Sequence, residues 1–235
     1  MRLAKLSGWR RWLRPLLVVV VVLLVLPYAI APLYRFGRPV STPMLWRRAT
    51  GGRVERSFVP LDRIAPILPL TVILAEDGGF CRNRGIDLGA VREALRESDD
   101  DIDEARGGST ITQQTVKNLF LWPGRSFVRK ALELPLALWL NVVLPKRRII
   151  ELYLNIAEWG PNGEFGIEAA AHFAFHKSAR ELTPAEAAEL AAILPNPVTR
   201  SARAPSTLVH RLAALYERRA AKFPGHGSCL RNPLH

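Results

Sequence analysis

The stretch GGSTITQQTVKNLFLWPGRSFVRKALE, residues 107–133, decides how the rest of this chain is read. It carries four cations, Lys117, Arg125, Arg129 and Lys130, and no acid before Glu133, although the seven residues just before it, 98–104, hold five acids. So sharp a reversal of charge points to an anionic ligand. Thr110 and Gln113 have capping-box spacing, which predicts a helix start whose first N–H groups are unpaired and whose dipole favours an anion. Val116, Leu119 and Phe120 then face a core, with Gln113 and Lys117 sharing the opposite face. A second helix follows the Pro123-Gly124 break, where Arg129 and Lys130 precede Glu133 by four and three residues. A capped amphipathic helix followed by an ordinary ion pair explains the same window without a ligand.

Outward from this stretch, the N-terminal side is built for a membrane. An uncharged span runs from Pro15 to Leu33, near the lower limit for crossing a hydrocarbon core of about 30 Å. Arg2, Lys5, Arg10, Arg11 and Arg14 precede it, which places the N-terminus in the cytoplasm and the remainder across the membrane. A cleaved signal peptide has the same basic arm and apolar centre, but Tyr28-Ala29-Ile30-Ala31 before Pro32 is a poor cleavage site. The expected organisation is a basic arm at 1–14, a transmembrane helix at 15–34, a membrane-proximal linker at 35–60, a catalytic domain at 61–199, and a basic helix and tail at 200–235. The net charge of +12 is concentrated at the two ends, a pattern suited to anionic lipid. No aromatic-basic ladder or zinc spacing suggests nucleic acid.

Residues 64–75 are apolar and deliver Glu76 and Asp77 into the turn Gly78-Gly79-Phe80. Two adjacent carboxylates at the end of an oily helix are candidates for proton transfer, because partial burial raises a carboxyl pKa. The acidic run at 99–104 lacks calcium-loop spacing and reads as a solvated loop or lid. In KRRIIELYLNIAEW, residues 146–159, the apolar set has the period of a core helix, and Glu151 and Asn155 share a face as fold-holding groups. Thr183-Pro184-Ala185-Glu186 opens an alanine-rich scaffold helix that ends at Pro195. Leu208, Leu212, Leu215 and Tyr216 mark a basic amphipathic helix that packs on the domain or lies on lipid, and from Pro224 the tail is expected to be loose. Cys81 lies in a motif and Cys229 in that tail, so no structural disulfide is expected. Strand signals are few, and the fold class is mainly α.

The blocks AEDGGFCRNRG, GGSTITQQTVKN, RKALE, KRRIIELYLN and LTPAEAAELAAILPNP, in this order, resemble the peptidoglycan glycosyltransferases of family 51, most closely the monofunctional branch. The resemblance covers roughly 61–197 and implies a lysozyme-like helical lobe with a smaller membrane-proximal lobe. It implies polymerisation of lipid II at the bacterial inner membrane by inverting transfer of the growing glycan to the 4-hydroxyl of the next lipid II. Glu76 would be the general base, supported by Asp77, and Glu133 the second essential acid. Lys117, Arg125, Arg129 and Lys130 would hold the diphosphate, while Ser109, Thr110, Gln113 and Gln114 would line the cleft. Other cell-wall synthesis proteins are implied as partners. No covalent cofactor is implied, and a divalent cation such as Mg at Glu133 is the one metal considered. One position departs: Asn83 stands where the family carries histidine, and it cannot carry a proton charge. A lysozyme-type glycan-cleaving enzyme and a non-catalytic anchor are the competing readings.

Overall fold

The computed structural model describes residues 7–89, 108–124 and 126–231, with side chains from Trp12 onward. The acidic run at 99–104 and Arg125 lie outside the described residues. Helix α1, Ser7–Ile30, continues through a 3-10 turn, Ala31–Arg35, and the segment Trp12–Arg35 is long and apolar enough to cross a membrane. Then follow α2 (Thr42–Ala49), α3 (Ile67–Glu76), α4 (Ile111–Phe120), α5 (Phe127–Val143), α6 (Lys146–Ile156), α7 (Ile167–Phe175), α8 (Pro184–Ile193), α9 (Thr207–Lys222) and a short α10 (Ser228–Arg231). Two-residue strands, Glu55–Arg56 and Glu164–Phe165, pair in parallel. The domain is therefore mainly helical, as the scarcity of strand signals predicts.

The core forms where helices turn broad apolar faces toward one another. In α6, Ile149, Ile150, Leu152, Tyr153, Leu154 and Ile156 are all buried, and α4 packs along it and against α5. Helix α8 buries Ala187, Ala188, Ala191 and Ala192, whose small side chains let α3 and α9 approach closely. Helix α9 buries Val209, Ala213, Tyr216 and Ala220 against that layer, so of its two expected locations it takes the protein surface. Caps stand where the spacing places them: Thr110 and Thr183 form complete capping boxes, and Ser126 caps α5.

Glu151 and Asn155 fasten the segment after the membrane helix to α6. The Asn155 amide both donates to and accepts from the Val59 backbone at 2.8 Å, and Glu151 accepts from the Leu61 N–H at 2.7 Å. The 35–60 stretch is thus a packed part of the fold, with Met44 buried.

Two expectations about the C-terminus are corrected. Over its described residues, 224–231, the tail is ordered: a 3-10 turn, Pro224–Gly227, leads into α10, and these pack on α3 and α6. Cys229 is buried there and is disulfide-bonded to Cys81, with Cα atoms 5.4 Å apart. Helix α9 carries the chain back alongside α3, and that return, which local sequence does not specify, brings the two sulfurs together. A disulfide closing a loop of this length typically contributes about 2–5 kcal/mol. The expected result is that Cys229→Ser lowers the unfolding midpoint of the solubilised protein by several degrees. Reductant should reproduce the loss in the parent chain and add nothing in the variant.

Candidate active site

Helix α3 is an apolar rod whose Leu68, Val72, Ile73 and Leu74 are buried, and its last residue is Glu76. The Glu76 carboxylate is half-buried, and among the described residues it accepts one hydrogen bond, from Gln114 Nε2 at 2.9 Å. Burial raises its pKa above the ordinary carboxylate value; the Gln114 donor and the charges of Lys117 and Arg200 oppose that rise. Gln114 is held in turn, because its Oε1 accepts from the hydroxyl of Tyr153 at 3.0 Å, and Tyr153 is buried in α6. A buried tyrosine needs a partner for its O–H, and here that partner fixes which end of the Gln114 amide meets Glu76.

Asp77 does different work. Its carboxylate accepts from Asn83 Nδ2 at 2.9 and 3.1 Å, and its Oδ2 accepts from the Ile111 N–H at 3.1 Å. Ile111 is the first residue of α4, so the anion at that helix start is the protein's own Asp77. This corrects the expectation of unpaired N–H groups there awaiting a ligand. Asn83 uses both ends of its amide, for its Oδ1 accepts from Lys146 Nζ at 3.0 Å and from the Gly85 N–H at 3.1 Å. Lys146 lies 4.6 Å from the Phe80 ring centroid, and burial pushes its pKa down to about 8. Gly85 has φ +96°, and a Cβ there would meet Ala137 O at 2.5 Å, so only glycine lets this loop lie on α5.

The remaining predicted residues separate into three layers. Gln114, Lys117 and Arg129 line a groove of about 440 Å³, walled also by Trp122, Tyr153 and Pro195. Glu133 is buried beneath it, pairing with Arg129 and, at 3.2 Å, with Lys130, whose Nζ also donates to Ser109 Oγ at 2.7 Å. Thr110 and Gln113 do not line the groove: they are buried and cap α4, Thr110 also donating to Gly85 O at 2.7 Å. Gln113 therefore does not share an exposed face with Lys117, because capping draws its side chain back to the helix start. Among the described residues Lys117 has no hydrogen-bonded or ion-paired partner. Burial lowers its pKa, with Glu133 and Glu76 opposing and Arg129 and Lys130 reinforcing that shift.

The residues around Glu133 do not fit a divalent cation. Both of its oxygens meet cationic side chains, and no group of three or more His, Cys, Asp or Glu converges among the described residues. Tyr153, Lys146, Arg200 and the Pro195 wall were not singled out from sequence. Only Tyr153 carried a signal, as the one hydroxyl in a buried apolar set. Chemically, the arrangement offers a carboxylate of raised pKa next to a cationic groove, a pairing suited to deprotonating an alcohol while a negatively charged group departs.

Comparison with known proteins gives a concordant picture. The family described as Transglycosylase matches residues 45–220. The chain is 56% identical over 211 residues to a biosynthetic peptidoglycan transglycosylase of Rhodopseudomonas palustris (strain TIE-1), covering 90% of this chain and 89% of that one. It is 54% identical over 211 residues to the protein of the same name from Nitrobacter hamburgensis, covering 90% and 93%. To that of Rhizobium meliloti (strain 1021) it is 48% identical over 224 residues, covering 94% of each.

Proposed function

This chain belongs to the transglycosylase family, and on that premise we propose that it polymerises peptidoglycan glycan strands from lipid II. The observation that carries the reading is the half-buried Glu76, held by Gln114 and within electrostatic reach of Lys117, which among the described residues is unpaired and lies on a cationic groove. In the reaction the 4-hydroxyl oxygen of the acceptor attacks the anomeric carbon of the growing chain. The bond from that carbon to the lipid diphosphate breaks, its electrons leave with the diphosphate, and the configuration inverts. Glu76 takes the hydroxyl proton, a role that supplies on the order of 10²–10⁴ in rate. Lys117 and Arg129 meet the charge that accumulates on the leaving diphosphate. Glu133 and Ser109 hold Arg129 and Lys130 in place, and Asp77 holds the start of α4, the helix that bears Gln114 and Lys117.

Asn83 is compatible with activity in this scheme. It bridges Asp77 and Lys146, so the lysine brings a positive charge to the loop where the asparagine itself brings none. The domain lies outside the cytoplasm in this reading, anchored by the apolar helix: the cations before and in the first turns of that helix favour this orientation, and the Cys81–Cys229 bond suits an oxidising compartment.

Labelled lipid II incubated with the purified, solubilised chain should yield glycan polymer with release of the lipid diphosphate. Cleaved muropeptides from preformed glycan would instead mean a lysozyme-type hydrolase, and neither product a non-catalytic anchor.

Tyr153→Phe tests how the base is tuned. Without the hydroxyl, the Gln114 amide loses the partner that turns its N–H toward Glu76, so the ionised carboxylate loses support and its pKa rises further. A base works ionised, so the acid limb of the pH–rate profile should move to higher pH, by about half a unit to one unit if one hydrogen bond is weakened. Activity should fall more at pH 6 than at pH 8. A uniform loss at both would mean Tyr153 only fills space.

A further inference from the structure

The segment after the membrane helix gathers positive charge that the fold does not neutralise. Arg38, Arg56 and Arg148 each place the guanidinium carbon 5.4–5.7 Å from the Phe58 ring centroid. Arg148 is satisfied: it pairs with Glu151, donates to Tyr34 O at 2.8 Å and also donates to Gly37 O. The other arginines differ. Arg56 donates Nε to Asn155 O at 3.2 Å, yet its Nη2 is buried and, among the described residues, has no partner. Arg38 and Arg48 are exposed, and among the described residues neither pairs with an acid. Burial and then the charges of Arg48 and Arg38 lower the Arg56 pKa, so these cations repel one another across a shared site.

The position of the cluster indicates what relieves that repulsion. Arg148 fastens the carbonyls of Tyr34 and Gly37, at and just beyond the end of the apolar segment Trp12–Arg35, to the same ring. The neighbouring chain leaves Phe36, Leu45 and Trp46 exposed, at 87%, 55% and 61%. Exposed aromatic and apolar side chains beside arginines, one step from a membrane span, match the layer of lipid headgroups. None of these arginines lines the groove.

We propose that Arg38 and Arg56, which lie over Phe58, together with the exposed Arg48, bind the phosphate headgroup of an anionic membrane lipid and seat the domain on the membrane surface. The site is distinct from the diphosphate-binding groove and does not depend on the reaction assigned to it. Guanidinium groups bind phosphate oxygens through paired N–H donors, which Arg38 and Arg48 present at the surface.

The test uses the full chain in a non-ionic detergent, titrated with short-chain phosphatidylglycerol, short-chain phosphatidylcholine or inorganic phosphate and read by native mass spectrometry. Saturable binding of phosphatidylglycerol, with none of phosphatidylcholine, is expected. The double variant Arg38→Gln/Arg48→Gln, which alters only exposed side chains, should bind it about ten- to thirty-fold more weakly with an unchanged unfolding midpoint. Arg56→Lys, which keeps the charge but removes the paired donors, should also weaken it. Equal binding by parent and double variant overturns the proposal, as does inorganic phosphate binding as tightly as phosphatidylglycerol, which would make this a free-anion site.

Discussion

Glu76→Gln should reduce lipid II polymerisation by about 10²–10⁴-fold, to the background of the assay, while leaving the fold intact. The substitution keeps the shape of the side chain and an oxygen that still accepts from Gln114 Nε2, so the contact that positions the residue survives. What disappears is the lone pair of an ionised carboxylate. The half-buried site has already raised the pKa of that carboxylate, which makes it a stronger base once ionised. The unfolding midpoint should therefore stay the same or rise slightly, because a charge has been removed from a partly desolvated position. Measured turnover of labelled lipid II, alongside thermal unfolding of the same preparation, separates loss of chemistry from loss of fold. Full retained activity would remove Glu76 from the role of base and leave the groove without its proton acceptor.

How much of this could be read from the chain depends on whether a feature is local. Thr110 with Gln113 and Thr183 with Glu186 announce helix starts because a capping box closes within four residues. Glu151 and Asn155 announce a fold-holding face because one helix turn separates them. The adjacent carboxylates at the end of an apolar helix are also legible, since the contrast lies in neighbouring residues. The division of labour between those carboxylates is not. Asp77 meets the Ile111 N–H across 34 positions, and Glu76 meets Gln114 across 38, so only the closed fold tells which is braced and which is poised. The same holds for Cys81 and Cys229, separated by 148 residues and joined because α9 turns the chain back. Gln113 shows the converse error: its spacing to Lys117 implies a shared face, but its amide folds back onto the Thr110 N–H and is lost to the groove.

Lys117→Ala should lower the rate of the chemical step by about 10²–10³-fold, with a smaller effect on KM. The reasoning starts from what the side chain lacks. Among the described residues its ammonium has no hydrogen-bonded or ion-paired partner, so truncation breaks no bond of the fold, whereas removing Glu133 would strand Arg129 and Lys130. Its charge is held partly desolvated, opposed by Arg129 and Lys130 and supported at a distance by Glu133 and Glu76. A cation kept in so unfavourable a position gains most when negative charge grows beside it, which happens as the diphosphate leaves. The pH profile carries a second signature of the same geometry. Burial raises the pKa of Glu76 and lowers that of Lys117, so activity should rise as the carboxylate ionises and fall as the ammonium loses its proton. Lys117→Arg, which stays protonated, should preserve part of the rate and move the alkaline limb upward out of the working range. An unchanged single-turnover rate in Lys117→Ala, or an alkaline limb that Lys117→Arg does not move, would transfer the task of meeting the leaving diphosphate to Arg129 and its neighbours.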